Sequence, residues 1–211
     1  MTKKILTFAL LATLLAAAIP ALLACKDKKE APQNVDFTTC APAESPVFED
    51  PADLPSNLKE YHSKDRGYLV RYPADWEVSE GLVAFQGIVG DAFFSPSTDS
   101  TIRPNFSVTC EMMPVGIDTE VFFQEKRSVI ERRAGAPISA AIELNVDGKK
   151  AYLVEYSLQE QATPQPVTLK KVDVLWADER GGWIMSLLVP PEQIDAHRPL
   201  FEEFITSFKE K

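Results

Sequence analysis

Two histidines, His62 and His197, are the only imidazoles in the chain. Nucleophilic Ser or Cys catalysis needs a base within hydrogen-bond reach and a third group to orient it. Asp195-Ala196-His197 offers a carboxylate and an imidazole two positions apart, a spacing that does not share a helix face. There is no Gly-x-Ser-x-Gly elbow, no His-Glu-x-x-His, no Cys-x-x-Cys and no Asp-rich calcium loop. Gly87-Ile88-Val89-Gly90 has no lysine and the wrong spacing for a phosphate loop. Glycoside hydrolysis asks for only two carboxylates, but Asp178-Glu179 and Glu202-Glu203 read as solvated neighbours rather than an acid pair. The sequence therefore predicts no catalytic, metal or cofactor-binding residue.

Cysteines and aromatics leave more room. Cys110 falls on the inward face of an alternating run and reads as a buried inert thiol or as a bridge partner of Cys40. A Cys40–Cys110 bridge would close 71 residues (40 through 110) and contribute about 4 kcal/mol in the chain-entropy account. A free Cys40 would instead be able to join two molecules. Tyr72, Trp76, Trp176 and Trp183 are either core or the lining of a groove for an apolar ligand or peptide. The polar run Ser95-Pro96-Ser97-Thr98-Asp99-Ser100-Thr101 reads as a surface loop.

These residues sit in a chain of 211 with net charge −9, 45% hydrophobic and 25% charged residues. Such values suit a folded domain, and the acidic balance argues against nucleic acid as a partner, since phosphate binding needs concentrated Lys and Arg. Met1–Lys4 carries two lysines and Ile5–Leu23 is almost purely apolar, the layout of a secretory signal. Its end, Leu22-Leu23-Ala24-Cys25, resembles the lipobox of bacterial lipoproteins, with a less usual Leu23. That resemblance implies cleavage before Cys25, diacylglycerol on its thiol and a fatty acyl (palmitate-type) chain on its amine. Loss of Lys3 and Lys4 with residues 1–24 takes the charge from −9 to −11.

Residues 25–57 read as a lipid-anchored tether: Pro32, Pro42, Pro46, Pro51 and Pro55 stand among few large apolar residues. Lys26, Lys28 and Lys29 would lie against the membrane. The folded domain is expected over 58–211. Tyr68, Val70 and Tyr72 alternate in a strand closed by Pro73, and Val83–Phe85 and Ala92–Ser95 are short strand candidates. Phe106, Val108, Cys110 and Met112 alternate in another strand, and Asp118 caps a helix over Thr119–Arg133 with Phe122, Val129 and Arg133 on one stripe and Val121 and Ile130 beside it. Ile138–Val146 and Lys149–Leu158 flank Asp147-Gly148, a strong hairpin signal. Val167–Ala177 and Trp183–Val189 flank a second hairpin, and a last helix opens at Pro191 and runs to about Phe208 with a break at Pro199. Hairpins rather than crossovers imply an antiparallel sheet in an α+β domain, and strands apolar on both faces call for a helix on each side, an α/β/α sandwich.

Gly67-Tyr68-Leu69-Val70-Arg71-Tyr72-Pro73-Ala74-Asp75-Trp76, the mid-chain helix, the Asp147-Gly148 hairpin and the closing Phe204-Ile205-Thr206-Ser207-Phe208 resemble the PsbP-like family. That fold is shared by the extrinsic photosystem II protein, a Ran-binding nuclear-transport factor and many bacterial lipoproteins. The resemblance implies an α/β/α sandwich that binds proteins rather than turning over substrate, and no residue here matches a photosystem or Ran-binding surface. The expectation is a non-catalytic lipoprotein on the extracytoplasmic face of a bacterial cell membrane. It would be held there through Cys25 and would bind or help assemble an unidentified envelope protein. A small-ligand or lipid-binding lipoprotein and a hydrolase are the rival readings.

Overall fold

The computed structural model describes residues 35–45, 47, 56–85, 87–96, 102–138, 140–160 and 166–211. The signal segment, Cys25, the start of the tether and the 97–101 part of the polar loop lie outside them. The compact domain begins at Val35.

Among the described residues, ten strands and two α-helices build it. A small antiparallel sheet joins β1 (Leu58–Ser63), β2 (Tyr68–Pro73) and β10 (Lys209–Glu210) in the order β1-β2-β10. A larger sheet takes β3 (Glu77–Phe85), β4 (Ile88–Phe94), β5 (Asn105–Glu111), β6 (Ile142–Val146), β7 (Lys149–Glu160), β8 (Val167–Ala177) and β9 (Gly182–Val189) in the order β3-β4-β5-β9-β8-β7-β6. Every pairing in it is antiparallel. The expected single sheet is thus two, because the Tyr68–Pro73 strand pairs with Leu58–Ser63 and with the chain end rather than with the hairpins.

Local chemistry explains the main boundaries. In α1 (Thr119–Ala134) the Asp118 carboxylate accepts from Val121 N, and Gly135 at φ 66° closes the helix. Between β6 and β7 both Asp147 (φ 48°) and Gly148 (φ 82°) are left-handed, the pair a tight two-residue hairpin needs. Asn145 Oδ1 accepts from Gly148 N at 2.8 Å and fixes that turn. The last helix differs from expectation. Pro191–Gln193 form a 3-10 turn, and α2 (Ile194–Ser207) continues through Pro199. A proline forfeits one helical hydrogen bond, and burial of Phe201, Phe204 and Ile205 in the following turns outweighs that loss. Phe208 then leaves the helix extended and the chain ends in β10.

Pleating sorts the core. Val172, Val174 and Trp176 of β8 and Trp183, Met185 and Leu187 of β9 join Phe201, Phe204 and Phe208 in one buried cluster with Tyr68 and Val70 of the small sheet. Leu169 and Leu175 join Phe122, Phe123 and Ile130 of α1 and Tyr152, Val154 and Tyr156 of β7 in another. Successive strand side chains point to opposite faces, so both faces of the central strands are covered. On α1 the buried stripe is Phe122, Phe123 and Ile130, with Phe123 stacked on Tyr152 at 4.5 Å. Val121 and Val129, expected at or beside the stripe, face outward.

Composition also misleads over part of the tether. Thr38 N donates to Met113 O at 2.9 Å, Cys40 N donates to Arg180 O at 2.9 Å, and Val115 N donates to Asp36 O at 2.9 Å. Residues 36–40 therefore belong to the domain. Paired backbone and a crosslink hold a segment with too little apolar surface to hold itself.

Candidate functional site

The sequence-derived candidates separate cleanly. Cys40 and Cys110 are joined in a disulfide, and both are buried. Its sulfurs lie over Gly181, where an added Cβ would stand 2.6 Å from Cys110 Sγ and 3.0 Å from Cys40 Sγ. Tyr72, Trp76, Trp176 and Trp183 do not form the groove allowed for them. Trp176 and Trp183 stack at 6.0 Å with no exposed surface, and Trp76 packs against Phe106 at 4.4 Å. Tyr72 packs on Phe93 at 5.1 Å. Their large apolar area goes into the core between the two sheets and α2. His197 packs near the Trp76 ring at 5.9 Å with Nδ1 2.9 Å from Gln193 O, and His62 lies 2.6 Å from Glu60. Neither faces the other. Cys25 lies outside the described residues.

What the fold does bring together is charge, in three buried knots that no motif announces. Asp91 of β4 has no exposed surface and accepts from Nε and Nη2 of Arg66, from Tyr68 Oη at 2.5 Å, from Ser63 Oγ at 3.3 Å and from Gly81 N at 2.9 Å. Burial pushes its carboxyl up, but the hydrogen bonds from Arg66, Tyr68 and Gly81 win and hold it below its ordinary value. The same burial, reinforced by Asp91, lifts the Tyr68 phenol well above its ordinary range. Asp173 of β8 accepts from Tyr156 Oη at 2.7 Å and Ser186 Oγ at 2.6 Å and pairs with Lys171 at 3.1 Å. Burial and Asp173 together push the Tyr156 phenol far up.

The third knot borders an open depression. Lys149 Nζ donates to Asp178 Oδ2 at 2.8 Å and also to Glu210. Asp178 Oδ1 further accepts from Arg180 N at 2.8 Å and Trp183 Nε1 at 3.2 Å, so the residue read as solvated is a buried turn anchor. Arg180 pairs with Glu210 at 2.9 Å, donates to Arg66 O at 2.9 Å and stacks over Trp183 at 5.0 Å. Burial raises Asp178, yet its bonds to Glu210 and Lys149 bring it below its ordinary value. Burial and the neighbouring Asp178 raise Glu210. Above them the Thr39–Ser45 stretch walls an open depression of about 730 Å³, with Glu179, Arg180, Glu210 and Lys211 as its other side.

A pair of carboxyls pushed apart in proton affinity is how acid and base roles arise. Here both are tied to Lys149 and Arg180, so the pair holds the chain end in place. The depression sets the charged groups of Glu44, Glu179, Arg180 and Lys211 beside the small apolar side chains of Ala41, Pro42 and Ala43. Among the described residues no group of three His, Cys, Asp or Glu lies close enough to hold a metal ion. Among the same residues no helix is long and apolar enough to cross a membrane. The one prior signal for the first knot was a lone Asp91 inside Ile88-Val89-Gly90-Asp91-Ala92-Phe93-Phe94.

No protein-family model matches the sequence, and no curated protein matches it. Solved structures do. Cyanobacterial PsbP (CyanoP) from Synechocystis sp. PCC 6803 is similar at TM-score 0.54 and 17% identity, over 78% of this chain and 99% of that one. A Bacteroides thetaiotaomicron VPI-5482 protein is similar at 0.49 and 15%, over 74% of this chain and 49% of its own. LpqN, a Mycobacterium tuberculosis protein involved in cell envelope biogenesis, is similar at 0.49 and 13%, over 73% and 91%. At 17% identity the likeness to CyanoP is one of fold, and the chain is PsbP-like by fold.

Proposed function

We propose that the protein is a lipid-anchored, extracytoplasmic, non-catalytic module that binds or helps assemble another protein of the bacterial cell envelope. The observation that carries this reading is the buried Cys40–Cys110 disulfide. Disulfides persist where the compartment is oxidising, and this one lies just beyond the lipobox-like Leu22-Leu23-Ala24-Cys25. Cys25 would be the lipidated residue and Lys26, Lys28 and Lys29 its neighbours at the head groups. The domain is read as an α/β/α sandwich, supported by the division of alternate β8 residues between the α1 cluster and the α2 cluster. Its buried charges are spent on structure, which leaves surface recognition as the reading that fits.

A small-ligand carrier is the second reading, favoured by the 730 Å³ depression. Drug-sized ligands take mostly apolar pockets of similar volume, so a lining that mixes charged and small apolar groups points to a small amphipathic ligand. Native mass spectrometry of protein extracted gently from its own membranes, without reductant, separates the two. Lipid on Cys25 with a reproducible protein adduct supports the assembly role. Lipid with only a small-molecule adduct moves the function to the carrier, and a chain that keeps residues 1–24 without lipid removes the location altogether.

A further inference from the structure

Where the chain enters the domain it displays large apolar side chains to solvent. Phe37 is 59% exposed, Val35 50%, Met112 45% and Val115 63%. They belong to one ribbon. Phe37 bridges antiparallel to Pro114, and Thr38 exchanges backbone and hydroxyl hydrogen bonds with Met113. Thr38 and Met113 turn inward and are buried. Alternation then turns Phe37 and Met112, each one position earlier, outward. The disulfide two residues beyond Thr38 ties the ribbon to β5, so this apolar face is held in place.

Charge near the ribbon selects its partner. Asp36 is exposed and acidic, while Glu111 at the foot of β5 is paired with Lys126. Such a surface would not seek a polyanion. Val35 opens the compact domain, ten positions beyond Cys25. A chain of that length spans at most about 36 Å. An anchor at Cys25 would thus keep the ribbon at high effective concentration beside one particular surface, where a contact of a few side chains suffices.

We infer that the ribbon of Val35, Phe37 and Met112 docks on the bilayer that carries the lipid anchor, its apolar side chains entering the head-group boundary. The inference rests on the reading that Cys25 is lipidated. The ribbon is then a second membrane signal beside the acyl chains, and it fixes which side of the domain faces the membrane. Attachment by apolar side chains tolerates salt, and any preference for anionic lipid would come from Lys26, Lys28 and Lys29 beside the anchor rather than from the ribbon.

The test uses the full-length lipidated protein in vesicles of phosphatidylcholine and phosphatidylethanolamine, with or without brominated acyl chains. Phe37→Trp adds an indole at the ribbon, and Ile142→Trp adds one on the edge strand β6, four strands from β5. Both positions are exposed, and the three native tryptophans are buried and form a constant background. Bromolipid should cut the emission added at position 37 roughly twofold, as expected for side chains at the acyl boundary. That indole should also resist iodide, whereas the one at position 142 should do the reverse. Added emission at position 37 that iodide quenches and bromolipid leaves alone overturns the inference, while diacylglycerol on Cys25 in the intact mass keeps the lipoprotein reading. Shielding of position 37 in native membranes but not in protein-free vesicles assigns the ribbon to a protein and likewise overturns docking on lipid. A mass without lipid on Cys25 overturns the lipoprotein reading and this inference together.

Discussion

Cys40, in a segment with the composition of a tether, is bonded to Cys110 of β5, 70 positions later and buried in the sheet. One covalent link thereby turns residues 36–40 into part of the domain and walls the depression beside Arg180.

Removing that link should cost stability without abolishing the fold. Cys40→Ser is expected to lower unfolding free energy by up to about 4 kcal/mol, the loop-closure value for a crosslink of this span. Urea unfolding with and without reductant measures it. Wild type should shift on reduction and the variant should not. Alkylation of both thiols in the native, unreduced protein would contradict the link.

Asp91→Asn should be among the most damaging single changes. It leaves Arg66 buried beside a neutral partner, and breaking a buried pair costs about 3–5 kcal/mol. Asp91 sits below its ordinary 3.8 in the folded state. Its contribution is therefore complete above the unfolded value and is lost as pH falls through the lower folded one. Glu210 runs the other way: its folded value is raised above 4.5, so its share of stability grows as pH falls from neutral. Urea midpoints between pH 7 and 2 should hold or rise slightly towards about 4.5 and then drop below 3.8, with the drop reduced in Asp91→Asn. A profile unchanged by Asp91→Asn would remove this carboxylate from the account.

Gly182→Ala tests the seat of α1 on β9. A Cβ there would stand 2.5 Å from Phe122 Cζ and 2.8 Å from Met113 Sδ. Phe122 is buried with nowhere to swing, so overpacking of about 1–3 kcal/mol is expected. Adding Phe122→Leu should recover part of the loss in thermal melts. Simple additivity of the two changes would mean the ring is not what the methyl meets.

Tryptophan emission distinguishes a core from a groove. With Trp176 and Trp183 fully buried and Trp76 nearly so, the spectrum should be blue-shifted and resist iodide and acrylamide until the protein unfolds. Strong quenching of the native protein would restore the groove.

Signals that act between near neighbours were legible from the residues. Asp118 ahead of the Thr119 helix, Asp147-Gly148 between two alternating runs, and the two-faced apolar pattern of β8 and β9 each carry their own reason within a few positions. The PsbP-like resemblance rested on the same local texture. Pro199 misled because its local penalty competes with burial of Phe201 and Phe204, which depends on sheets far away in sequence. The α1 stripe shifted for the same cause, since Tyr152 chose Phe123.

The candidate site was the least legible part. Asp173 and Asp178 look like any other acidic residues in the sequence and Asp91 differs only in standing alone in an apolar run, because whether a carboxylate is solvated or buried depends on partners such as Arg66, Tyr156 and Lys149, 25, 17 and 29 positions away. By itself the sequence determined the hairpins, the helices and the antiparallel class, where short-range backbone preference and alternation suffice. Tertiary structure alone decided that Cys40 meets Cys110, that β2 leaves the main sheet to pair with the chain end, and which charges are held out of water. Those outcomes depend on closing long loops, and only the assembled core supplies the free energy to hold them closed.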